Sequence, residues 1–277
     1  HKMSNISKNK DLVLNNGVEI PRIGFGTYKM HGYELEKALE KAFEAGYRHI
    51  DTAALYGNEE EIGNVLKNTG LKREDIFITT KVWNDDQGYD NTMAAIDVSL
   101  DKLQTDFVDL YLVHWPIPEK REATWEAMIQ IYDDRKARSI GVSNYTIKHI
   151  EELMKKYPIT PVVNQIEITP FLYQKELAEK CETYDIKIQA HSPLVRGTRL
   201  NNPVLKEIAE QYGKSTAQVL IRWSLEKGFI VLPKSANPER IQQNINVFDF
   251  ELSTADIAYI DALDNNMRIS WDPTELD

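Results

Sequence analysis

Eight apolar, strand-like runs recur along this chain with helix-like segments between them, and this alternation constrains the fold most strongly. Strands that alternate with helices are joined by crossovers and pair in parallel, because a hairpin cannot connect two parallel strands. Eight such units over about 250 residues are typical of a closed barrel. The sequence therefore predicts an α/β fold, a (β/α)8 TIM barrel, in preference to an open sheet. The runs are RIGFGT (22–27), YRHID (47–51), IFITTK (76–81), FVDLYLVH (107–114), SIGVS (139–143), VVNQIEI (162–168), IKIQAHS (186–192) and FIVLPK (229–234).

Two of the intervening segments carry clear helix signals. Asp90 or Asn91 is a candidate N-cap for the segment between the third and fourth runs. Ser215 and Gln218 form a capping-box pattern before a later helix. In the first segment, apolar residues recur at the spacing of one helix face: Tyr89, Met93, Ile96, Leu100 and Leu103.

The segment before the first barrel run has the pattern of a hairpin. DLVLNNGVEIP (11–21) alternates apolar residues on both sides of an Asn16-Gly17 turn. We expect this hairpin to cover one end of the barrel. No low-complexity linker divides the chain, so residues 1–277 are interpreted as one domain. Residues 1–10 are expected to be a flexible start, with the first two residues, before Met3, left over from cloning.

Charge and cysteine content exclude several classes of function. The formal net charge of −10 disfavours a nucleic-acid binder, which usually carries a basic face. The single cysteine, Cys181, forms no internal disulfide or multi-thiolate metal site, which fits a reducing compartment. We find no signal peptide or membrane-spanning run. We therefore expect a cytoplasmic monomer that binds a small molecule, with no nucleic-acid or membrane partner.

Polar residues lie at or near the ends of all eight runs. In a (β/α)8 barrel the carboxyl ends of the strands form the mouth where chemistry takes place. A single polar strand end has a simpler explanation, namely a solvated loop, but the full set favours a functional site. The residues are Thr27, Asp51, Lys81, His114, Ser143 with Asn144, Gln165, His191 and Lys234.

Four side chains near these ends suit carbonyl reduction. A free tyrosine has a pKa of about 10 and holds its proton firmly, but an adjacent ammonium stabilises the phenolate. Tyr56 is thus a candidate proton donor and Lys81 its ammonium, while Asp51 holds Lys81 charged and His114 orients the substrate oxygen. Each residue also has a structural interpretation: Asp51 and Lys81 as an ion pair, His114 as a core histidine, and Tyr56 as loop packing.

The stretch PKSANPER (233–240) is a candidate phosphate site. Asn237 can cap a helix that has Pro238 in its first turn. A helix N-terminus flanked by Lys234 and Arg240 attracts phosphate, and the 2′-phosphate of NADPH needs such cations, so the pattern favours NADPH over NADH. Ser235 lies in the same stretch. The alternative is an ordinary capped helix with surface charges. The GFGT stretch (24–27) lacks the third glycine of a dinucleotide fingerprint and more simply shapes a strand end.

The sequence resembles the aldo-keto reductase family, and is similar to its bacterial members. The resemblance implies a catalytic tetrad, with Tyr56 as proton donor, Lys81 and Asp51 as its tuning pair and His114 as the orienting residue, and hydride from a bound nicotinamide. It implies NADPH-dependent reduction of aldehydes and reactive ketones or dicarbonyls to alcohols. The stretches that carry it are GFGTYK, YRHIDTAALYGNEEEIG, ITTKVWN, DLYLVHWP, IGVSN, VVNQIE, HSPL and LPKSANPERIQQN.

The resemblance also implies which residues surround the cofactor and the substrate. Ser143, Asn144 and Gln165 would bind the nicotinamide carboxamide. Gln243 or Asn244 would lie near the adenine, and Ser192 and Leu194 along the pyrophosphate. Arg196 and Arg199 are additional candidates there, with solvated loop charges as the simpler interpretation. The full cofactor set is Thr27, Asp51, Ser143, Asn144, Gln165, His191, Ser192, Leu194, Lys234, Ser235, Arg240, Gln243 and Asn244. The substrate set is Tyr28, Trp83, His114 and Trp115.

Two positions depart from the family pattern. His191 stands where relatives place Tyr, Trp or Phe to stack on the nicotinamide, and imidazole offers less area and titrates near neutral pH when unperturbed. Tyr28 stands where relatives often have Trp. The sequence after residue 267 is short, so we expect an open pocket whose selectivity depends on the loops 83–90, 115–121 and 194–202.

Two other classes of function remain as alternatives. One is a noncatalytic, nicotinamide-binding regulatory protein on the same fold, since a fold alone does not establish activity. The other is a metal-dependent barrel hydrolase, for which the sequence offers no HxH pair or cluster of His and carboxylate ligands. We therefore predict no metal site.

Overall fold

The computed structural model describes residues 5–277, and it contains ten strands and eleven α-helices. The strands are β1 Asp11–Val13, β2 Glu19–Pro21, β3 Phe25–Gly26, β4 His49–Asp51, β5 Phe77–Val82, β6 Leu110–Val113, β7 Ile140–Ser143, β8 Val163–Glu167, β9 Lys187–His191 and β10 Ile230–Leu232. The helices are α1 Asn5–Lys8, α2 Gly32–Ala45, α3 Glu59–Lys67, α4 Tyr89–Leu103, α5 Arg121–Asp133, α6 Ile147–Lys156, α7 Lys175–Thr183, α8 Pro203–Tyr212, α9 Thr216–Glu226, α10 Pro238–Ile245 and α11 Thr254–Asp261.

Strands β3 to β10 form one parallel sheet in sequence order. The sheet closes on itself, because Ile23 and Val231 form a parallel bridge between its first and last members. The N–H of Gly24 donates to Val231 O at 2.9 Å, and the N–H of Val231 donates to Arg22 O at 2.8 Å. The predicted (β/α)8 barrel is confirmed, with all eight predicted runs contributing to it.

The antiparallel pair β1–β2 closes the N-terminal end of the barrel. Leu14 and Ile20 of the hairpin pack in one apolar cluster with residues that begin barrel strands, among them Phe77, Leu110 and Ile230. The predicted covering hairpin is therefore confirmed. Apolar side chains thus fill the barrel at the end where its strands begin.

Most predicted element boundaries agree with the structure, and one cap does not. Ser215 accepts from the N–H of Gln218, whose side chain accepts from the N–H of Ser215, so the capping box of α9 is confirmed. The expected cap of α4 at Asp90 or Asn91 is wrong. The helix begins at Tyr89 after the N-cap Gly88, whose φ of 106° places the chain in a conformation that favours glycine.

The expected flexible start at 1–10 lies partly outside the described residues, which begin at Asn5. From there the chain forms the single turn of α1 before β1. The first four residues, with the expected cloning remnant, lie outside the description. Among residues 5–277, no helix is both long and apolar enough to cross a membrane.

His49 provides a pH-dependent contribution to stability. Its ring is fully buried on the first barrel layer against the edge of Phe77, and burial lowers the pKa of His49 to about 4. The folded pKa is below the unfolded value, so the stabilisation is fully present above about pH 6.5 and is lost as the pH falls towards the folded pKa. Between about pH 7 and pH 5 we expect this histidine to reduce the free energy of unfolding by about 2 kcal/mol.

Urea unfolding at both pH values measures this loss. His49→Gln removes one titrating ring and should reduce the loss of stability between these pH values by about 2 kcal/mol. His31→Gln, at an exposed position, is the matched control and should leave the loss as in the original protein. An unaltered slope in His49→Gln would rule out this residue as its source.

Candidate active site

The four predicted catalytic residues reach the barrel mouth from adjacent strands. Asp51 is the last residue of β4, Lys81 lies near the end of β5, and His114 directly follows β6. Tyr56 ends a short 3-10 turn, Ala54–Tyr56, which begins three residues after Asp51. The carboxyl ends of neighbouring parallel strands meet at one edge, and this turn returns the phenol to that edge.

Lys81 is the centre of the group. Its Nζ donates to Asp51 Oδ1 at 2.8 Å, to Thr52 O at 2.9 Å and to Tyr56 OH at 3.2 Å. The side chains of Lys81 and Asp51 are 0% and 5% exposed, so this ion pair is shielded from water. Lys81 thus contacts both of its predicted partners, the proton donor Tyr56 and the carboxylate of Asp51.

Burial and charge act on Tyr56 in opposite directions. Burial, the largest effect, raises the pKa of Tyr56, while the charge of Lys81 and its hydrogen bond lower it. The net shift is upward, so the ammonium only partly offsets the desolvation of a phenolate. Burial also opposes the charge of Lys81, but Asp51 and Tyr56 outweigh it and raise the pKa of Lys81. The site therefore holds a protonated phenol against a charged amine.

His114 contributes a neutral imidazole beside Tyr56. The two ring centroids are 6.0 Å apart in an edge-to-face arrangement, and the ring of Trp83 lies 5.2 Å from His114 on another side. Burial, followed by the charge of Lys81 and a smaller effect of His191, lowers the pKa of His114 well below its usual value. Its Nδ1 is buried without a hydrogen-bond partner, which leaves Nε2 as the ring nitrogen available to a substrate oxygen.

Amide side chains next to the tetrad present acceptors at the mouth. Nδ2 of Asn144 donates to His114 O at 2.9 Å and to Ser143 Oγ at 3.2 Å, and Ser143 Oγ donates to Gln165 O at 2.8 Å. Nε2 of Gln165 donates to Asp51 Oδ2 at 2.8 Å and to Gln189 Oε1 at 3.0 Å. The amide oxygens of Asn144 and Gln165 remain as acceptors, which matches the NH2 group of a nicotinamide carboxamide.

A cationic cleft lies on the other side of the mouth. Partial burial, then the charges of Lys29 and Arg196, lower the pKa of Lys234, and Glu34 opposes this more weakly. The Nζ atoms of Lys29 and Lys234 lie 5.4 and 6.0 Å from the centroid of the Tyr28 ring. Cations that repel one another in this way are suited to an anion, so the residues present fit the phosphates of a dinucleotide.

Helix α10 begins beside this cleft as the sequence predicts. Asn237 Oδ1 accepts from the N–H of Arg240 at 3.1 Å, Pro238 is the first helical residue, and Ser235 Oγ accepts from the N–H of Asn237 at 3.1 Å. Arg240 is exposed at the start of the helix.

Later in α10, the two candidates for the adenine differ in burial. Gln243 is exposed, whereas Asn244 is buried against the barrel. The side chain of Gln243 is therefore the freer of the two to meet a ligand.

The loop after β9 has an unusual backbone. Ser192, Val195 and Arg196 have φ values of 54°, 48° and 52°, in a region that a β-branched residue such as Val195 rarely adopts. Leu194 lies between them and packs against the core.

The hydroxyl of Thr27 is engaged within the protein. Its Oγ1 donates to Asp51 O at 2.9 Å and fixes β3 against β4.

His191 does not behave as its residue type suggests. Burial, then the charges of Lys81, Arg196 and Arg268, lower the pKa of His191 to about 3. Unlike an unperturbed imidazole, the His191 ring is therefore neutral near pH 7, because burial and the charges of three cations disfavour its protonated form.

A neutral His191 predicts that this residue adds no pH dependence to cofactor binding. Between about pH 6 and pH 8 the Kd for NADPH should follow the same pH dependence in the unmodified protein and in His191→Phe. Fluorescence titration with NADPH measures both. A dependence that disappears in His191→Phe would show that the ring titrates in this range.

Aromatic rings surround the opening above the tetrad. Tyr28 lies 5.1 Å from Tyr56 between ring centroids, and Trp83 contacts His114. Trp115 is buried and packs against Trp271 at 5.1 Å. The predicted substrate residues therefore lie together with one more, Trp271, which the sequence analysis did not select.

The segment after residue 267 is attached to the rest of the protein near both of its ends. Both carboxylate oxygens of the buried Glu167 accept backbone N–H groups, from Ile269 at 2.7 Å and from Ser270 at 2.8 Å. At its other end, Arg121 Nη1 donates to Leu276 O at 2.9 Å. Trp271 is held between these two attachments. Through Trp271 the segment therefore contacts Trp115, one of the predicted substrate residues.

Sequence reasoning missed Glu167, Gln189 and Trp271. Gln189 and Glu167 occupy inward-facing positions two residues from His191 and Gln165, so the period of two along β8 and β9 is a signal that identifies them. For Trp271, a lone tryptophan in a polar segment is the only signal. Among residues 5–277, no group of three or more His, Cys, Asp or Glu side chains is arranged to hold a metal ion.

The fold and its mouth define a class, that of oxidoreductases acting on carbonyl groups through a nicotinamide cofactor. Within that class the chain belongs to the aldo/keto reductase family, whose sequence profile matches residues 22–265. It is 49% identical to a glyoxal reductase of Bacillus subtilis over 96% of this chain and 98% of that protein. It is 41% identical to the methylglyoxal reductase DkgA of Escherichia coli over 95% of this chain and 96% of the relative.

Solved structures agree with this assignment. An aldo/keto reductase of Brucella melitensis superposes with a TM-score of 0.89 at 47% identity, covering 92% of this chain and 99% of the other. An aldo-keto reductase of Bombyx mori in complex with NADP gives a TM-score of 0.88 at 38% identity, covering 93% and 94%.

Proposed function

We propose that the protein reduces aldehydes and reactive ketones, dicarbonyls included, to alcohols with NADPH, using Tyr56 as proton donor. The observation that carries this proposal is the 3.2 Å contact between Lys81 Nζ and Tyr56 OH, beside a neutral His114. Relatives named glyoxal reductase and methylglyoxal reductase support small dicarbonyls as substrates.

In the proposed reaction, Tyr56 OH and His114 Nε2 bind the carbonyl oxygen of the substrate. NADPH, when bound, supplies the hydride to the carbonyl carbon. As negative charge develops on the oxygen, Tyr56 transfers its proton there, and Lys81 stabilises the phenolate that remains. Asp51 keeps Lys81 charged, and solvent reprotonates Tyr56 after the alcohol leaves. The raised pKa of Tyr56 means that it gives up its proton only when the substrate oxygen becomes basic.

Residues of two regions would hold the cofactor. The amide oxygens of Asn144 and Gln165 would accept from the carboxamide, and Ser143 positions both by its bond to the β8 backbone. Lys234 and Arg240 would bind the 2′-phosphate. The remaining predicted residues would follow the cofactor between these points: Thr27, His191, Ser192, Leu194, Ser235, Gln243 and Asn244.

We also propose that the protein works as a cytoplasmic monomer in one domain. The four catalytic residues lie in one chain, and the single cysteine, Cys181, is buried, which suits a reducing compartment. The net charge of −10 argues against nucleic acid as a partner. No observation favours the noncatalytic regulatory alternative or a metal-dependent hydrolase.

A panel of carbonyl compounds with each cofactor tests the proposal. We expect NADPH to be oxidised with methylglyoxal, glyoxal and a simple aromatic aldehyde, faster than NADH at equal concentration. Absence of NADPH oxidation with every compound, by a protein that binds NADPH, would contradict the catalytic function and favour the regulatory alternative.

A further inference from the structure

A row of buried polar groups crosses the barrel interior beneath the mouth. It runs from Gln189 on β9 to Gln165 on β8, then to Asp51, Lys81 and Tyr56. Its successive contacts measure 3.0, 2.8, 2.8 and 3.2 Å. Gln189 begins the row and is fully buried. It contacts neither the tetrad's phenol nor its amine, so any role that it has acts through Gln165.

The chemistry of Asp51 identifies which amide atoms of Gln165 and Gln189 face one another. An ionised carboxylate only accepts hydrogen bonds, so the group that Gln165 turns towards Asp51 Oδ2 must be its NH2. The same nitrogen faces Gln189, so Gln189 must present its oxygen there. With both N–H groups engaged, Gln165 has its amide oxygen left to accept from a ligand.

The amide nitrogen of Gln189 shows which atom of this side chain has a role. Its Nε2 is buried without a hydrogen-bond partner. Leaving a buried donor unpaired is unfavourable, so the residue is not explained by its nitrogen. The structure uses only the oxygen of this side chain, which is the atom that holds Gln165.

We propose that Gln189 is a positioning residue for carbonyl reduction. Its Oε1 keeps the Gln165 amide in the one orientation in which Gln165 donates to Asp51 and directs its own oxygen to the carboxamide of NADPH. Gln189 thereby connects cofactor binding to the Asp51–Lys81–Tyr56 group. This inference rests on the proposed function and adds to it a residue that touches neither substrate nor cofactor.

Gln189→Met tests the inference, because it keeps the size and shape of the side chain and removes the acceptor. A lost hydrogen bond of ordinary strength corresponds to about a fivefold to tenfold change. We expect the Kd for NADPH, from fluorescence titration, to rise by about that factor, and kcat with methylglyoxal to fall by a similar factor. The KM for methylglyoxal should stay within about twofold, because Gln189 does not border the substrate opening.

Two further experiments separate positioning from a general packing effect. In a Gln165→Leu background the amide to be positioned is absent, so adding Gln189→Met should cause no further loss. In cofactor-free protein, the side-chain NH2 signals of Gln165 should be protected from solvent exchange, and Gln189→Met should reduce this protection, because one of the two acceptors is lost while Asp51 remains.

The outcomes distinguish this inference from the proposed function. Unchanged Kd and kcat in Gln189→Met, or a full additional loss in the Gln165→Leu background, would each overturn the positioning role. An unmodified protein that binds NADPH but reduces no carbonyl compound would instead overturn the proposed function. The amide exchange experiment would still test the orientation of Gln165, because it does not depend on activity.

Discussion

Replacing Tyr56 with phenylalanine is expected to lower kcat/KM for methylglyoxal by about 10³-fold, because general acid catalysis contributes about 10²- to 10⁴-fold. The hydroxyl is the only part of the side chain that the substitution removes, and the ring contacts with Tyr28 and His114 stay in place. The Kd for NADPH should therefore change by less than about threefold. Steady-state kinetics and fluorescence titration on the same preparation give both numbers.

Tyr33→Phe is the matched control for this variant. Tyr33 is 74% exposed at the start of α2, so its loss of the same hydroxyl should leave kcat/KM unchanged. Turnover by Tyr56→Phe at the rate of the unmodified protein would exclude Tyr56 as the proton donor, whatever the geometry of Lys81.

Removing Lys234, which precedes α10, together with Arg240 in its first turn is expected to weaken the binding of NADPH much more than that of NADH. Charge-assisted hydrogen bonds are about twice as strong as neutral ones, and each contributes about 1.5–3 kcal/mol. The double variant Lys234→Ala with Arg240→Ala should therefore raise the Kd for NADPH by about 10²- to 10⁴-fold. NADH has no 2′-phosphate, so its Kd should change by less than about fivefold.

A control with the same loss of charge shows whether the effect is local. Lys155 and Lys206 are exposed on α6 and α8, and their replacement by alanine should leave both Kd values unchanged. Equal weakening of NADPH and NADH by the α10 variant would contradict the assignment of the 2′-phosphate to Lys234 and Arg240.

The barrel and the tetrad follow from local patterns in the sequence. Each strand is a short apolar run that can be recognised from its own residues, without knowledge of the strands it pairs with. In a barrel, the polar residues at the ends of parallel strands then meet at one mouth. The sequence therefore predicts that three strand-end side chains lie close together, namely those of Asp51, Lys81 and His114. Tyr56 required one further step, since its position depends on the short turn that follows β4.

The features that were missed or mistaken depend on contacts distant in sequence. Gln165 and Asp51 are 114 residues apart, and Ile269 lies 102 residues from Glu167, so neither contact has a local signature. The electrostatics of the site has the same origin. The pKa of His191 is lowered first by burial and then by cations, of which Lys81 and Arg268 are distant in sequence and Arg196 is near.

The central claim is that this chain transfers hydride from NADPH to a carbonyl carbon while Tyr56 protonates the oxygen. The most direct measurement uses NADPH carrying deuterium at the transferred position, with methylglyoxal as substrate and mass spectrometry of the product. The account predicts an alcohol with one deuterium on the former carbonyl carbon in the unmodified protein, and only trace product with Tyr56→Phe. Product without deuterium, or no product from protein saturated with NADPH, would contradict it.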